Sequence, residues 1–188
     1  MIGHELSHGV TQYTSNLEYQ DQPGALNEHF SDTMGILVKQ YKLKQTVDKA
    51  DWLIGAGILA PGVNGTALRN MLKPGTAFND PRLGGKDPQP ADIKHYVHMQ
   101  EDEGGVHINS GIPNRAFATA CMEAGGFAWD AIGRIWYQAF TTKLTSQAQF
   151  QDAANATLQV ANTFYGAGTT QYNAVKKGWV TVGITPKG

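Results

Sequence analysis

Met1-Ile-Gly-His4-Glu5-Leu-Ser-His8-Gly-Val-Thr11 opens the chain with two histidines four residues apart and a glutamate directly after the first. Read as a helix, the stretch puts His4 and His8 on one face, roughly 5–6 Å apart at Cβ, where both imidazoles can reach one metal ion. Glu5 stands about 100° further round, at about 3.6 residues per turn, so it flanks the metal without binding it. That position suits a general base acting on a polarised water. The helix is expected from Ile2 to about Ser15, with His4, His8 and Thr11 along one side.

Around this stretch lies a chain of 188 residues, 41% hydrophobic and 16% charged, with 22 Gly and 8 Pro. Those proportions fit one globular domain spanning 1–188 with a sizeable core. The net charge of −1, with no basic or acidic run, gives no footprint for nucleic acid or an anionic membrane surface. No apolar run approaches the 18 or so residues that span a bilayer. Cys121 is the single cysteine, so no internal disulfide can form, and its place in an apolar pattern points to core packing.

Further along, Asp21-Gln-Pro-Gly24 reads as a turn and Ala25–Val38 as a second helix carrying Glu28 and Asp32 at i and i+4. Ala67-Leu-Arg69-Asn-Met71 reads as one or two helical turns. From Pro74 to about Glu103 the chain is rich in Pro, Gly, Asp and Lys and has no sustained period, the mark of a long loop. After Gly104-Gly105 comes Val106–Gly111, and beyond it the pattern turns almost wholly helical. Ile112–Ala124 carries Phe117, Ala120, Cys121 and Ala124 on one face, and Ala128–Thr142 carries Ile132, Ile135, Trp136 and Phe140. A helix capped by Ser146 runs to Gly166, and a last one from Thr170 carries Tyr172, Val175 and Trp179. The fold class is therefore mainly α, a helix bundle with a long irregular loop.

A catalytic zinc usually takes three protein ligands and keeps a fourth position for water. His4 and His8 supply two, and Glu28, on the next helix, is the natural candidate for the third. Four stretches in this order, Gly3–Thr11 (GHELSHGVT), Leu17-Glu-Tyr19, Gly24–Asp32 (GALNEHFSD) and Gly104–Gly111 (GGVHINSG), resemble the thermolysin-like neutral metallopeptidases over essentially the whole chain. The likeness is to the helical carboxyl-terminal domain of that family. It implies Zn2+ on His4, His8 and Glu28, with Glu5 moving the proton of the attacking water. It also implies Tyr19 and His107 as hydrogen-bond donors to the oxyanion, and Asp102 as the carboxylate orienting His107. Asn27 and Asp32 would hold the outer ring nitrogens of His8 and His4. Arg69 would grip a substrate carbonyl, while Ile54, Ile58, Leu68 and Met1 would line a pocket for a bulky apolar side chain on the leaving-group side.

Read singly, the residues allow plainer roles. Tyr19 can be a packed aromatic, Arg69 a surface charge, His107 a turn histidine and Asp32 an exposed helix carboxylate. His29, His95 and His98 match nothing in the pattern and are expected at the surface. The sequence also departs from the family, since the positions that hold a pair of calcium ions in many members carry Lys39, Leu53 and Ala56 beside Asp51. Calcium wants six to eight oxygen ligands, so the double site is expected to be lost, with the Lys39 ammonium replacing the cation charge. Glu103 stands where many members have Asn.

The family's amino-terminal β-rich domain is also missing, so the chain reads as a carboxyl-terminal half with one wall of the cleft. Its uncovered apolar face would favour self-association, or a partner such as the amino-terminal domain or a propeptide. Family members are typically secreted and cleave peptide or protein substrates, which implies both here. The alternative is a non-catalytic, zinc-stabilised helical module that only binds a peptide or partner chain.

Overall fold

A helix buried all round must lie in the middle of its bundle. The segment Pro23–Thr33 is buried at every residue in the computed structural model, which describes residues 1–187. It belongs to α2 (Asp21–Leu43), which follows α1 (Ile2–Gln12). Two short antiparallel pairs come next, β1 (Leu53–Ile54) with β2 (Arg69–Asn70), then β3 (Asn79–Asp80) with β4 (Gly85–Lys86). The bundle is completed by α3 (Glu101–Asn109), α4 (Gly111–Ala124), α5 (Ala131–Thr142), α6 (Phe150–Tyr165) and α7 (Thr170–Thr181). The fold is helical, as expected.

The apolar stripes of α4 to α7 meet in one core that includes the fully buried Trp52, Trp136, Trp179, Phe117, Phe140 and Phe150. Cys121 lies in it, 1% exposed. On the other flank α1 crosses α2 where both backbones are bare. A Cβ on Gly35 would stand 3.3 Å from the His4 backbone nitrogen and 3.4 Å from its Cβ. Gly35 thus lets the first metal-ligand candidate settle directly on the central helix.

Several expectations are corrected. Asp21–Gly24 is the first turn of α2 and no separate turn, because Pro23 sits where an N–H has no intrahelical partner to lose. Ala67–Met71 is extended. Leu68 N–H donates to Ile54 O and Met71 N–H to Trp52 O, both at 3.0 Å, and five residues between turns are too few to nucleate a helix. The cap of α6 is Gln149, three residues beyond Ser146. Its backbone N–H donates to Asp152 Oδ2 at 2.8 Å in a reciprocal box. The 74–103 stretch is irregular but tied down. Asp87 accepts from the backbone N–H groups of Gly75, Ala77 and Gln89.

Candidate metal centre

Helix α1 lies across α2 so that His4 and His8 face Glu28. Asp32 takes the Nδ1 of His4 at 2.8 Å, and Asn27 Oδ1 takes the Nδ1 of His8 at the same distance. The Asn27 amide is oriented by its own N–H group on Leu17 O, so its oxygen faces the ring. Each Nδ1 therefore carries the proton and each Nε2 a lone pair. These two Nε2 atoms stand 3.2 Å apart, and Glu28 places Oε2 3.4 Å from His4 Nε2 and Oε1 3.4 Å from His8 Nε2.

Three Lewis bases converging without a donor between them are unfavourable unless a cation joins them. Glu28 is 1% exposed and its Oε2 has no hydrogen-bond partner among the described residues. Ligand atoms of His4, His8 and Glu28 all lie within 4.8 Å of one another. Two imidazoles and a carboxylate are a donor set that zinc favours, so these residues fit the ion.

Asp32 supports the site from beneath. Its Oδ1 accepts from His4 Nδ1 and Arg69 Nη2, and its Oδ2 from Arg69 Nε and Asn114 Nδ2. All four lone-pair positions are filled. Burial alone would raise its pKa. The Arg69 charge, with hydrogen bonds from His4 and Arg69, outweighs burial and holds the carboxyl well below its usual range.

Tyr19 and His107 come from the α1–α2 connection and from α3. The Tyr19 hydroxyl donates to Glu28 Oε1 and lies 3.3 Å from His107 Nε2. Burial first, then the hydrogen bond to Glu28 and its charge, push the phenol pKa well up, so it stays a donor. His107 Nδ1 meets Asp102 Oδ1 at 2.6 Å, and His107 N–H donates to Asp102 Oδ2 at 2.9 Å. This pairing depends on an unusual backbone. Asp102, Glu103, Gly104 and Gly105 all have positive φ, of 54, 49, 81 and 80°, a left-handed kink within α3 that folds Asp102 back over the turn carrying His107. The two glycines adopt it without a Cβ penalty.

Glu5 is exposed and lines a cleft of about 600 Å³ with His8, Tyr19 and Asn27. Arg69, opposite Ile54 in the β1–β2 pair, points its fork at Asp32. Ile58 and Leu68 close over Gly55, whose Cβ would meet each at 3.0 Å. Ile54 is 5% exposed and packs in the core, whereas Met1 is half exposed.

His29 corrects the sequence reading. It is fully buried, not at the surface, whereas His95 and His98 are exposed. Its Nδ1 meets Asn114 Oδ1 at 2.8 Å and its Nε2 accepts from Trp136 Nε1 at 2.9 Å. Burial brings its pKa down to about 4. The readable signal was polarity on apolar stripes: Asn114 is three residues before Phe117 and seven before Cys121, and His29 is seven before Ile36.

Against known proteins, residues 15–184 match the family described as thermolysin metallopeptidase, alpha-helical domain. An extracellular metalloprotease of Pectobacterium carotovorum subsp. carotovorum is 48% identical over 185 residues, 98% of this chain and 52% of that protein. An extracellular minor metalloprotease of Serratia marcescens is 61% identical over 128 residues, covering 68% of this chain and 36% of the other. The solved precursor of protealysin, a metalloproteinase from Serratia proteamaculans, superposes with a TM-score of 0.94 at 51% identity. That match covers 98% of this chain and 56% of the precursor, so the chain spans about half the length of such relatives. With the family match over residues 15–184, about half the residues identical to such relatives across 98% of the chain and a helical bundle of matching shape, this chain belongs to the thermolysin metallopeptidase family, within its alpha-helical domain.

Proposed function

We propose that the chain carries the zinc-binding half of an endopeptidase that hydrolyses internal peptide bonds. One observation carries the reading: two imidazole lone pairs and the unpartnered oxygen of Glu28 converge beside Glu5, which lines the cleft without joining the cluster. Zinc, if held by His4, His8 and Glu28, would supply Lewis acidity and make a water easier to deprotonate near neutral pH.

The side chains divide the remaining work. Glu5 accepts the proton of the attacking water and returns it to the leaving amine. Tyr19 and His107 donate to the developing oxyanion, a stabilisation of roughly 3–4 kcal/mol per donor in comparable sites. Asp102 holds the outer nitrogen of His107, and Asn27 and Asp32 hold those of His8 and His4. Arg69 keeps Nη1 for a substrate carbonyl while its other two nitrogens bind Asp32. Ile58 and Leu68, backed by Ile54, favour a bulky apolar side chain. The preference is broad, because one methylene discriminates by only about 1–3 kcal/mol.

Ile2 and Leu6 on α1, and Tyr13 directly after it, are 79, 70 and 85% exposed. Such exposure supports a further segment or propeptide completing the cleft, or self-association at high concentration, which light scattering would register. Lys39 lies 2.7 Å from both carboxylate oxygens of Asp51, which supports loss of the calcium pair. The extracellular naming of relatives supports secretion, and no described helix is long and apolar enough to cross a membrane.

Zinc content and peptide hydrolysis of the wild type and Glu5→Gln test the reading. Zinc in both with hydrolysis in the wild type alone is the expected result. Equal inactivity with zinc in both would replace the peptidase by a zinc-stabilised binding module.

A further inference from the structure

Four buried hydrogen bonds run in series from the core to the metal cluster. Trp136 Nε1 on α5 lies 2.9 Å from His29 Nε2, and His29 Nδ1 lies 2.8 Å from Asn114 Oδ1 on α4. Asn114 Nδ2 lies 2.9 Å from Asp32 Oδ2, and Asp32 Oδ1 lies 2.8 Å from His4 Nδ1. Trp136, His29, Asn114 and Asp32 are each 0% exposed, and His4 is 4% exposed. Solvent therefore cannot substitute for a missing partner.

The direction of every bond follows from donor chemistry. An indole N–H can only donate, so His29 Nε2 must accept and the ring must carry its proton on Nδ1. That proton goes to Asn114 Oδ1. Thr33 Oγ1, 3.5 Å from the same nitrogen, can only accept from it. With its oxygen engaged by His29, Asn114 presents its amide hydrogens to Asp32. A reversed tautomer of His29 would set N–H against N–H at Trp136, and a flipped Asn114 would set its oxygen against the carboxylate. Only one arrangement satisfies all the atoms. Arg69 grips Asp32 from the short β2 strand, and Asn114 adds a second hold from a core helix.

We propose that Trp136, His29 and Asn114 are positioning residues, a relay that fixes the Asp32 carboxylate and so keeps the His4 proton on Nδ1 and its Nε2 lone pair aimed at the metal. The relay rests on the metal-ligand role given to His4 above, and its members touch neither substrate nor metal.

Ring nitrogen NMR of the metal-free wild type, zinc competition against a chromophoric chelator, and two tryptophan variants test it. Trp136→Phe removes the indole N–H that anchors the relay. Trp179→Phe removes an equivalent core indole, 6.1 Å away and stacked on Trp136, whose N–H goes to Thr157 Oγ1 outside the relay. In the wild type, His29 and His4 should each show a single Nδ1–H tautomer. Trp136→Phe should mix both tautomers and weaken zinc binding about tenfold, the lower end for groups that orient metal ligands. Trp179→Phe should lower the melting temperature yet leave the His4 tautomer and the zinc affinity unchanged.

A wild-type His29 protonated on Nε2 would overturn the relay, even if Trp136→Phe fails to fold. Equal zinc affinities in the two variants would overturn it too. Failure of the wild type to bind zinc would instead sink the peptidase reading, with the metal-free tautomers still deciding the relay.

Discussion

Arg69 meets Asp32 through two parallel N–H···O bonds, Nε to Oδ2 and Nη2 to Oδ1, each 2.7 Å long. The Asp32 side chain is 0% exposed and that of Arg69 11%, so the pair is shielded from water. Removing one partner leaves the other charge buried and uncompensated, which typically costs about 3–5 kcal/mol. Asp32→Asn should lose stability on that scale in a denaturant melt. It should also weaken zinc binding by roughly 10- to 100-fold, because one amide oxygen cannot serve Arg69, Asn114 and His4 together, and His4 loses the charged acceptor that fixes its tautomer. Stability lost with zinc affinity intact would separate Asp32 from the metal cluster.

His29 makes stability depend on pH in a defined window. Burial lowers its folded pKa to about 4, against an unfolded value of about 6.5. Between these values the unfolded chain binds a proton that the folded protein excludes, so unfolding becomes easier as pH falls. The contribution is complete above about pH 6.5 and declines by about 1.4 kcal/mol per pH unit. It is spent near pH 4, after a loss of about 3 kcal/mol. Unfolding of chelated protein across pH 4–7 should therefore be steeper for the wild type than for His29→Gln. Parallel curves would contradict the burial-driven shift.

Periodicity carried the later helices because each presents an apolar stripe to the core. The stripe through Phe117 and Cys121, and that through Ile132, Ile135 and Trp136, face the same core. The convergence of His4 and His8 was legible because a helix fixes the i, i+4 geometry locally. Ala67–Met71 was not, because its conformation is decided by main-chain partners at Trp52 and Ile54, distant in sequence. His29 failed for a similar reason. A histidine next to a buried glutamate reads as a surface residue until Trp136 and Asn114, on two later helices, supply its partners.

Lys39 gives the calcium expectation a direct test. Its ammonium bonds both oxygens of Asp51 at 2.7 Å, so one positive charge already occupies the carboxylate that a calcium ion would need. With zinc held constant, adding calcium or a calcium-selective chelator should leave the melting temperature unchanged. Lys39→Ala should lose less than about 1 kcal/mol, since this ion pair is partly exposed. A calcium-dependent rise of several degrees in the wild type would mean that a divalent site persists.

Glu103 is, with Asp102, one of two non-glycine residues in the left-handed turn that brings Asp102 onto His107. Its φ of 49° is one an L residue adopts at a cost of about 1–2 kcal/mol, and the neighbouring Gly104 and Gly105 escape that cost. Asn tolerates this region better than Glu, because its short side chain can bond the local backbone. Glu103→Asn should thus raise stability by about 0.5–1 kcal/mol, read as a higher melting temperature. Glu103→Val should lower it, a branched side chain being a poor fit to positive φ. The turn itself should survive in Glu103→Asn, because Asp102 still accepts two hydrogen bonds from His107. The His107 ring resonances should consequently barely move, and a large shift together with unchanged stability would show that Glu103 acts on the histidine through its charge and not through backbone strain.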